Sequence, residues 1–505
     1  MIPEITRKLP RSLRGVSCIS WSVFVCLLPC LASDVLAQQK AGELKLTPRV
    51  FESASGQKVD VEFGELTVPE NRRKADSRFI QIAFIRFKST SKTPAAPIVY
   101  LAGGPGSSGI AAARGTRFPL FMAMREVADV IALDQRGIGL SKPNLVCKET
   151  VSFAPDKLQR REDLLELYRK QSRACAETFK QQGVDLTGYN TNESVDDLED
   201  LRKAIGAEKI SLWAISYGTH LSLATVKRHE KSIDRMILAG VEGPSHTIKL
   251  PSNIQKHMEH IDRLVKADAN LSKDIPSLLS LVKGVLERTE REPVTVEVMD
   301  PVSKKTVKVV LNKFAIQLLT VFSFGSGEAA LPARYYAMSK GDFSLAAQGW
   351  LNLSRAGSVG SAMAYMMDCA SGLSSERRKQ IAREASTTLL EDVMDLPFPD
   401  VCDAWGNPDA GAAFRAPAKS SVPTLFISGT LDVRTPPTNA EEVRRGFPNS
   451  VHLIIEGAVH SDPLFLSSPQ IKEVMLEFMK GQKISTTKIT LEPLKFAPLN
   501  PPKTN

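Results

Sequence analysis

Residues 209–231, KISLWAISYGTHLSLATVKRHEK, constrain the chain more than any other stretch, because one periodicity gives way to another at a single serine. Ile210, Leu212 and Ala214 alternate with Ser211, Trp213 and Ile215 in a short apolar run, the pattern of a buried strand. Leu221, Ala224 and Thr225 then recur at helical spacing. The change falls at Ser216. A strand that turns straight into a helix brings two backbones close together, so small residues are needed two before and two after the turn. Ala214 and Gly218 occupy those places, with Ala where a Gly-x-Ser-x-Gly pattern has its first glycine. Ser216 is therefore the candidate nucleophile, the plainer reading being a serine that caps a helix.

The flanking sequence predicts an α/β architecture, a mostly parallel central sheet with helices on both faces. Residues 59–68 and 78–88 alternate in polarity on either side of PENRRKADS and predict an antiparallel hairpin. PIVYLAGGPGSSG, 97–109, reads as a buried strand entering a glycine-rich loop, and ADVIALDQRGIGLSKP, 128–143, repeats that design. Charged amphipathic helices are expected over 157–182 and 194–205, the second stopped by Gly206. After RMILAG, 235–240, the alternation lapses; residues 247–418 read as largely helical with one hairpin between 294 and 311. It resumes at VPTLFISG, 422–429, and SVHLIIEGAVH, 450–460, with a last helix near 466–481. The predicted organisation is a first core segment over 38–246, a helical lid over 247–418, a second core segment over 419–481 and a poorly ordered Lys- and Pro-rich tail over 482–505.

Residues 1–37 have the form of an export signal: Arg7, Lys8, Arg11 and Arg14, then a mostly apolar run from Gly15 to Ala32, then Val35-Leu36-Ala37 as a small-residue cleavage site. Ser17, Ser20, Ser22 and Pro29 weaken the competing reading of a retained membrane anchor, so none is expected after signal removal. The net charge of +9 comes from dispersed Lys and Arg without a basic stripe or known motif, which argues against a nucleic-acid partner. Cys147, Cys175, Cys369 and Cys402 lie beyond the signal; export makes disulfides the default, and proximity in sequence favours Cys147 with Cys175 and Cys369 with Cys402. Without a CxxC pair, zinc and redox sites are not indicated, and no cofactor is expected. His257 and His260, with nearby His246, lack a Cys or carboxylate completing a metal set and read as surface histidines.

A serine nucleophile needs a base, and the base needs an orienting carboxylate. Asp432, in GTLDVRTP, follows one late strand and His460, in GAVH, follows the next. The order Ser, Asp, His is one of those in which this constellation occurs. An oxyanion would be met by the backbone N–H of Tyr217 and by one from Gly103-Gly104-Pro105-Gly106, with the choice between Gly103 and Gly104 open.

GGPGSSG at 103–109, DQRGIGLS at 134–141, AISYG at 214–218, SGTLDVRTP at 428–436 and GAVH at 457–460 together resemble the proline iminopeptidase and tripeptidyl aminopeptidase family of α/β-hydrolases, across most of 60–480. The resemblance implies the α/β-hydrolase fold, Ser216 as nucleophile, Asp432 as orienting acid, His460 as general base, and the GGPG loop with Tyr217 as oxyanion hole. Asp134 and Arg136 match a further motif and are read as structural, holding their loop beside GGPG. The four cysteines sit where the secreted tripeptidyl branch tends to have them. The chain departs from the family at Ala102, where a His often precedes GGPG, and at MMDCASG, where no acidic residue follows Cys369. The family holds a substrate's α-ammonium with carboxylates, and Glu242 and Asp368 are the candidates here. The expected activity is release of N-terminal residues from peptides, with hydrolysis of small esters as the alternative.

Overall fold

β-Branched and aromatic residues in short alternating runs build one ten-stranded sheet. The computed structural model describes residues 40–499; the expected export signal, 1–37, lies outside the described residues. The strands are β1 (Leu44–Glu52), β2 (Lys58–Pro69), β3 (Phe79–Phe87), β4 (Ile98–Leu101), β5 (Val130–Leu133), β6 (Thr150–Val151), β7 (Ile210–Ser216), β8 (Ile233–Val241), β9 (Val294–Met299), β10 (Thr306–Leu311), β11 (Gly357–Ser358), β12 (Thr424–Gly429), β13 (Ser450–Glu456) and β14 (Lys488–Thr490). The main sheet runs β1-β2-β3-β5-β4-β7-β8-β12-β13-β14, antiparallel from β1 through β5 and parallel from there on. The predicted hairpin 294–311 is present as β9 and β10.

Each central strand is buried on both faces, as a parallel sheet sandwiched between helices requires. On β7, Leu212 and Ala214 face one core while Trp213 and Ile215 face the other. The second core closes on the helices Phe118–Met124 and Pro469–Met479. The first includes the helices Thr191–Ala204 and Tyr217–His229 and continues without a break into the insertion, through Met258, Ile261, Trp350 and Met363. The insertion therefore shares the apolar interior of the sheet domain rather than forming a separate unit.

Two sequence expectations change, and one loop residue has an unforeseen place. The chain after 482 is not simply a loose tail: β14 pairs in parallel with β13, Ile489 is buried, and the Ala497 N–H donates to the Ala329 carbonyl at 2.9 Å. His246 and His257 are buried, not surface, residues; only His260 is partly open. Arg72, from the basic run in the hairpin loop, turns inward and pairs with Glu193, Asp197 and Asp200 at 2.6–2.8 Å.

The pairing of all four cysteines is as expected, Cys147 with Cys175 and Cys369 with Cys402. Arg136 is fully buried and holds Asp197 through two nitrogens, at 2.6 and 2.7 Å, and the carbonyls of Glu70 and Gly188 at 2.6 Å each. Asp134 accepts from Ser108 Oγ, the Ile110 N–H and the Leu140 N–H. Asp134 thus ties its loop to the segment just after GGPG, as read from its motif, whereas Arg136 ties the loop to the end of β2 and to the helix Thr191–Ala204 instead. Among the described residues no helix is long and apolar enough to cross a membrane.

Candidate active site

Ser216 ends β7 with φ 54° and ψ −128°, a conformation that side chains rarely adopt, and the helix Tyr217–His229 begins at the next residue. The turn is tight enough that a Cβ on Gly218 would lie 2.2 Å from the Leu101 carbonyl oxygen, which is why only glycine fits two residues after the serine. Thr219 Oγ donates to the Ser216 carbonyl and accepts the Glu242 N–H, tying the elbow to the end of β8.

Asp432 follows β12 and His460 follows β13, so neighbouring parallel strands deliver both side chains to the end of the sheet where Ser216 sits. His460 Nδ1 lies 2.8 Å from Asp432 Oδ2. Thr435 Oγ1 donates to the same oxygen at 2.7 Å and lies 3.1 Å from His460 Nδ1. The N–H groups of Arg434 and Thr435 donate to Asp432 Oδ1. Burial alone would push the Asp432 carboxyl up; the charge and hydrogen bond of His460, together with the Thr435 bonds, overcome that and hold it below its ordinary value. The imidazole is thus oriented through Nδ1, leaving Nε2 for the serine.

A cleft of about 610 Å³ brings Ser216, His460, Gly103 and Gly104 together. Among the described residues no hydrogen bond joins Ser216 to His460, a contact that in free enzymes often tightens only around substrate. Gly103 is the glycine pressed against the nucleophile: a Cβ there would lie 2.9 Å from Ser216 Cβ. Above the loop, the helix Ala362–Ser371 of the insertion approaches Gly106 through Ala364. The buried Arg117 closes one wall, donating to Tyr100 Oη, Asp462 (2.7 Å) and Ser461 (3.2 Å).

Glu242 and Asp368 do not line this cleft with Ser216. They belong to an acidic group beside it with Asp395, in which Lys249 Nζ lies 3.3 Å from Glu242 and the Lys249 N–H donates to Asp395 at 2.6 Å. Burial first, and then the neighbouring Glu242, push the Asp368 carboxyl well above the ordinary range, with Lys249 pulling the other way. Burial likewise raises Asp395 to about 6, against the pull of Lys249. The Tyr217 ring spans from the elbow to this group; burial raises its hydroxyl, Asp368 and Glu242 add to the rise, and the hydroxyl bonds Thr191. For metals, the described residues offer only Cys147, Cys175 and Glu149 at ligand spacing, and both sulfurs are already bonded to each other.

Residues 96–293 match the family described as "alpha/beta hydrolase fold", and residues 392–488 match the one described as "TAP-like protein". The chain has the α/β-hydrolase fold. This chain is 30% identical over 191 residues to "Serine protease Hip1" of Mycobacterium tuberculosis, 36% of each chain. It is 30% identical over 200 residues to "Tripeptidyl aminopeptidase" of Streptomyces lividans, 37% of this chain and 36% of that one. To "Proline iminopeptidase" of Neisseria meningitidis serogroup B it is 25% identical over 186 residues, 36% of this chain and 46% of that one. The alignments thus cover little more than a third of the length of the first two relatives. A solved proline iminopeptidase from Mycobacterium smegmatis superposes with a TM-score of 0.40 at 14% identity, over 83% of this chain and 98% of that one.

Sequence reasoning missed Thr435, Arg434, Lys249 and Asp395. The first two stand within three residues of Asp432 in LDVRTP, and the turn that lets Asp432 accept its own downstream N–H groups was a usable signal. Lys249 and Asp395 are isolated in sequence, and nothing local connects them.

Proposed function

We propose that the protein is an exported serine peptidase that removes residues from the N-terminus of peptides through an acyl-enzyme. The observation that carries this reading is the Asp432–His460–Thr435 arrangement at 2.7–3.1 Å in one cleft with Ser216. Ser216 Oγ attacks the scissile carbonyl carbon while His460 Nε2 takes its proton. The carbonyl oxygen becomes an oxyanion facing the Tyr217 N–H and an N–H of the Gly103–Gly104 segment. His460 returns the proton to the leaving amine as the C–N bond breaks. Water, deprotonated by the same imidazole, then releases the acyl group and restores Ser216. Relatives named as tripeptidyl aminopeptidase, proline iminopeptidase and serine protease support peptides over other acyl compounds. Two disulfides and the pattern of residues 1–37 support export.

The free amino terminus is held by Asp368, with Glu242 behind it. Among the described residues the Asp368 carboxylate has no hydrogen-bond donor, and Lys249 contacts Glu242 instead. An arriving ammonium would supply the charge that Asp368 lacks, so its binding favours the ionised carboxylate.

The test compares kcat/KM on a peptide anilide with a free amine and on its N-acetylated twin, for wild type, Asp368→Asn, Glu242→Gln and Ser216→Ala. The free amine should be preferred, the two acid variants should erase that preference, and Ser216→Ala should lose nearly all turnover and all fluorophosphonate labelling. Equal wild-type rates on both anilides overturn the aminopeptidase reading and leave an esterase or a broader peptidase.

A further inference from the structure

The cleft around Ser216 contains two arginines in different states. Arg117 is buried and committed, its guanidinium shared among Asp462, Ser461 and Tyr100. Arg434 is only half-buried, and among the described residues its guanidinium makes no hydrogen bond and no ion pair; only its backbone N–H is used, on Asp432. That backbone bond fixes Arg434 two residues from the orienting acid, on the turn that also carries Thr435. Its charge is felt by both Lys249 and Asp395, which puts it at the junction of the cleft and the acidic group. It acts on that group only from a distance: among the described residues its guanidinium makes no ion pair with Glu242, Asp368 or Asp395, and the one lysine in contact there, Lys249, is on Glu242. A planar, permanently charged fork left free beside a nucleophile matches a carboxylate, which it can hold through two parallel N–H···O bonds.

We propose that Arg434 determines specificity by binding a carboxylate on the substrate, so that the preferred substrates are anionic on one side of the scissile bond. This rests on the hydrolase reading of Ser216 and does not depend on whether Asp368 holds an ammonium. The carboxylate has two possible sources, the acyl part of the substrate or the part that leaves.

Two pairs of matched esters distinguish them: mono-4-nitrophenyl glutarate against 4-nitrophenyl butyrate places the charge on the acyl side, and 4-acetoxybenzoate against 4-acetoxybenzamide places it on the leaving side. For wild type, Arg434→Gln and Arg434→Lys, the readout is the kcat/KM of each charged ester divided by that of its neutral twin. In one pair the ratio should fall about 10- to 100-fold in Arg434→Gln, mainly through KM, as expected for losing charge-assisted bonds. Arg434→Lys should recover part of it, because the charge returns without the fork. Ratios unchanged in both pairs would overturn the proposal and assign Arg434 a structural role. No turnover of any of the four esters by wild type would overturn the hydrolase reading, and this inference with it.

Discussion

Thr435→Val isolates the part of the site that orients the base. The replacement keeps the side chain's shape and removes one O–H, the donor to Asp432 Oδ2 at 2.7 Å that also lies 3.1 Å from His460 Nδ1. Asp432 keeps His460 and two backbone N–H donors, so the carboxylate stays anchored but less well stabilised. A hydrogen bond to a charged group contributes ~1.5–3 kcal/mol. With three donors remaining, the lower end applies, and ~1.5 kcal/mol off the stabilisation of the imidazolium is about tenfold in kcat. Losing a donor that favours the charged form also lets the Asp432 carboxyl rise from its depressed position. The assay is kcat on 4-nitrophenyl butyrate and the rate of fluorophosphonate labelling, with Tm by calorimetry in parallel. Both rates should fall together at nearly constant Tm. A variant with unchanged rates would remove Thr435 from the relay, and one whose rates fall only as far as its folded fraction does would make it a packing residue.

Two further outcomes concern stability. The disulfides close separations of 28 and 33 residues, each stabilising by about 3–4 kcal/mol in the chain-entropy account, so reduction should lower Tm by several degrees; an unchanged Tm in fully reduced protein would contradict it. Asp395 releases its proton near 3.8 in the unfolded chain and near 6 in the folded one, so the folded state binds more protons in between and stability should fall as pH rises from about 4 to about 6, then level. Asp395→Asn should flatten that decline in a Tm–pH series, and an identical slope in the variant would assign the titration elsewhere.

The candidate residues that the cleft and its hydrogen bonds bring together were legible because each marks a change of backbone direction, and such changes demand particular residue types. Ser216 needs Gly218 beside it, and Asp432 and His460 each close a strand of near-continuous apolar residues. What was not legible has weak local periodicity or none. β1 is an edge strand with Phe51 as its single buried residue and an interior Pro48, so its alternation never shows. β14 has three residues, too few for any period. The buried His257 sits on the inner face of the helix Pro251–Ala267, where position along the helix, not residue type, decides exposure. The acidic group draws on positions 242, 249, 368 and 395, and only the packed insertion brings them together.

The insertion divides the sheet's chain between β8 and β12, yet these two strands are hydrogen-bonded neighbours, with Met236 opposite Thr424. Ser216 is therefore supplied by the first half of the polypeptide and His460 by the second, and joining them means closing a loop of well over a hundred residues. Contacts so distant in sequence form late, after local helices and hairpins. During synthesis residues 209–218 emerge long before residues 432 and 460, and a chain truncated anywhere short of 460 has Ser216 without His460. The cleft that brings Ser216 and His460 together is thus completed only when the second half of the chain docks on the first.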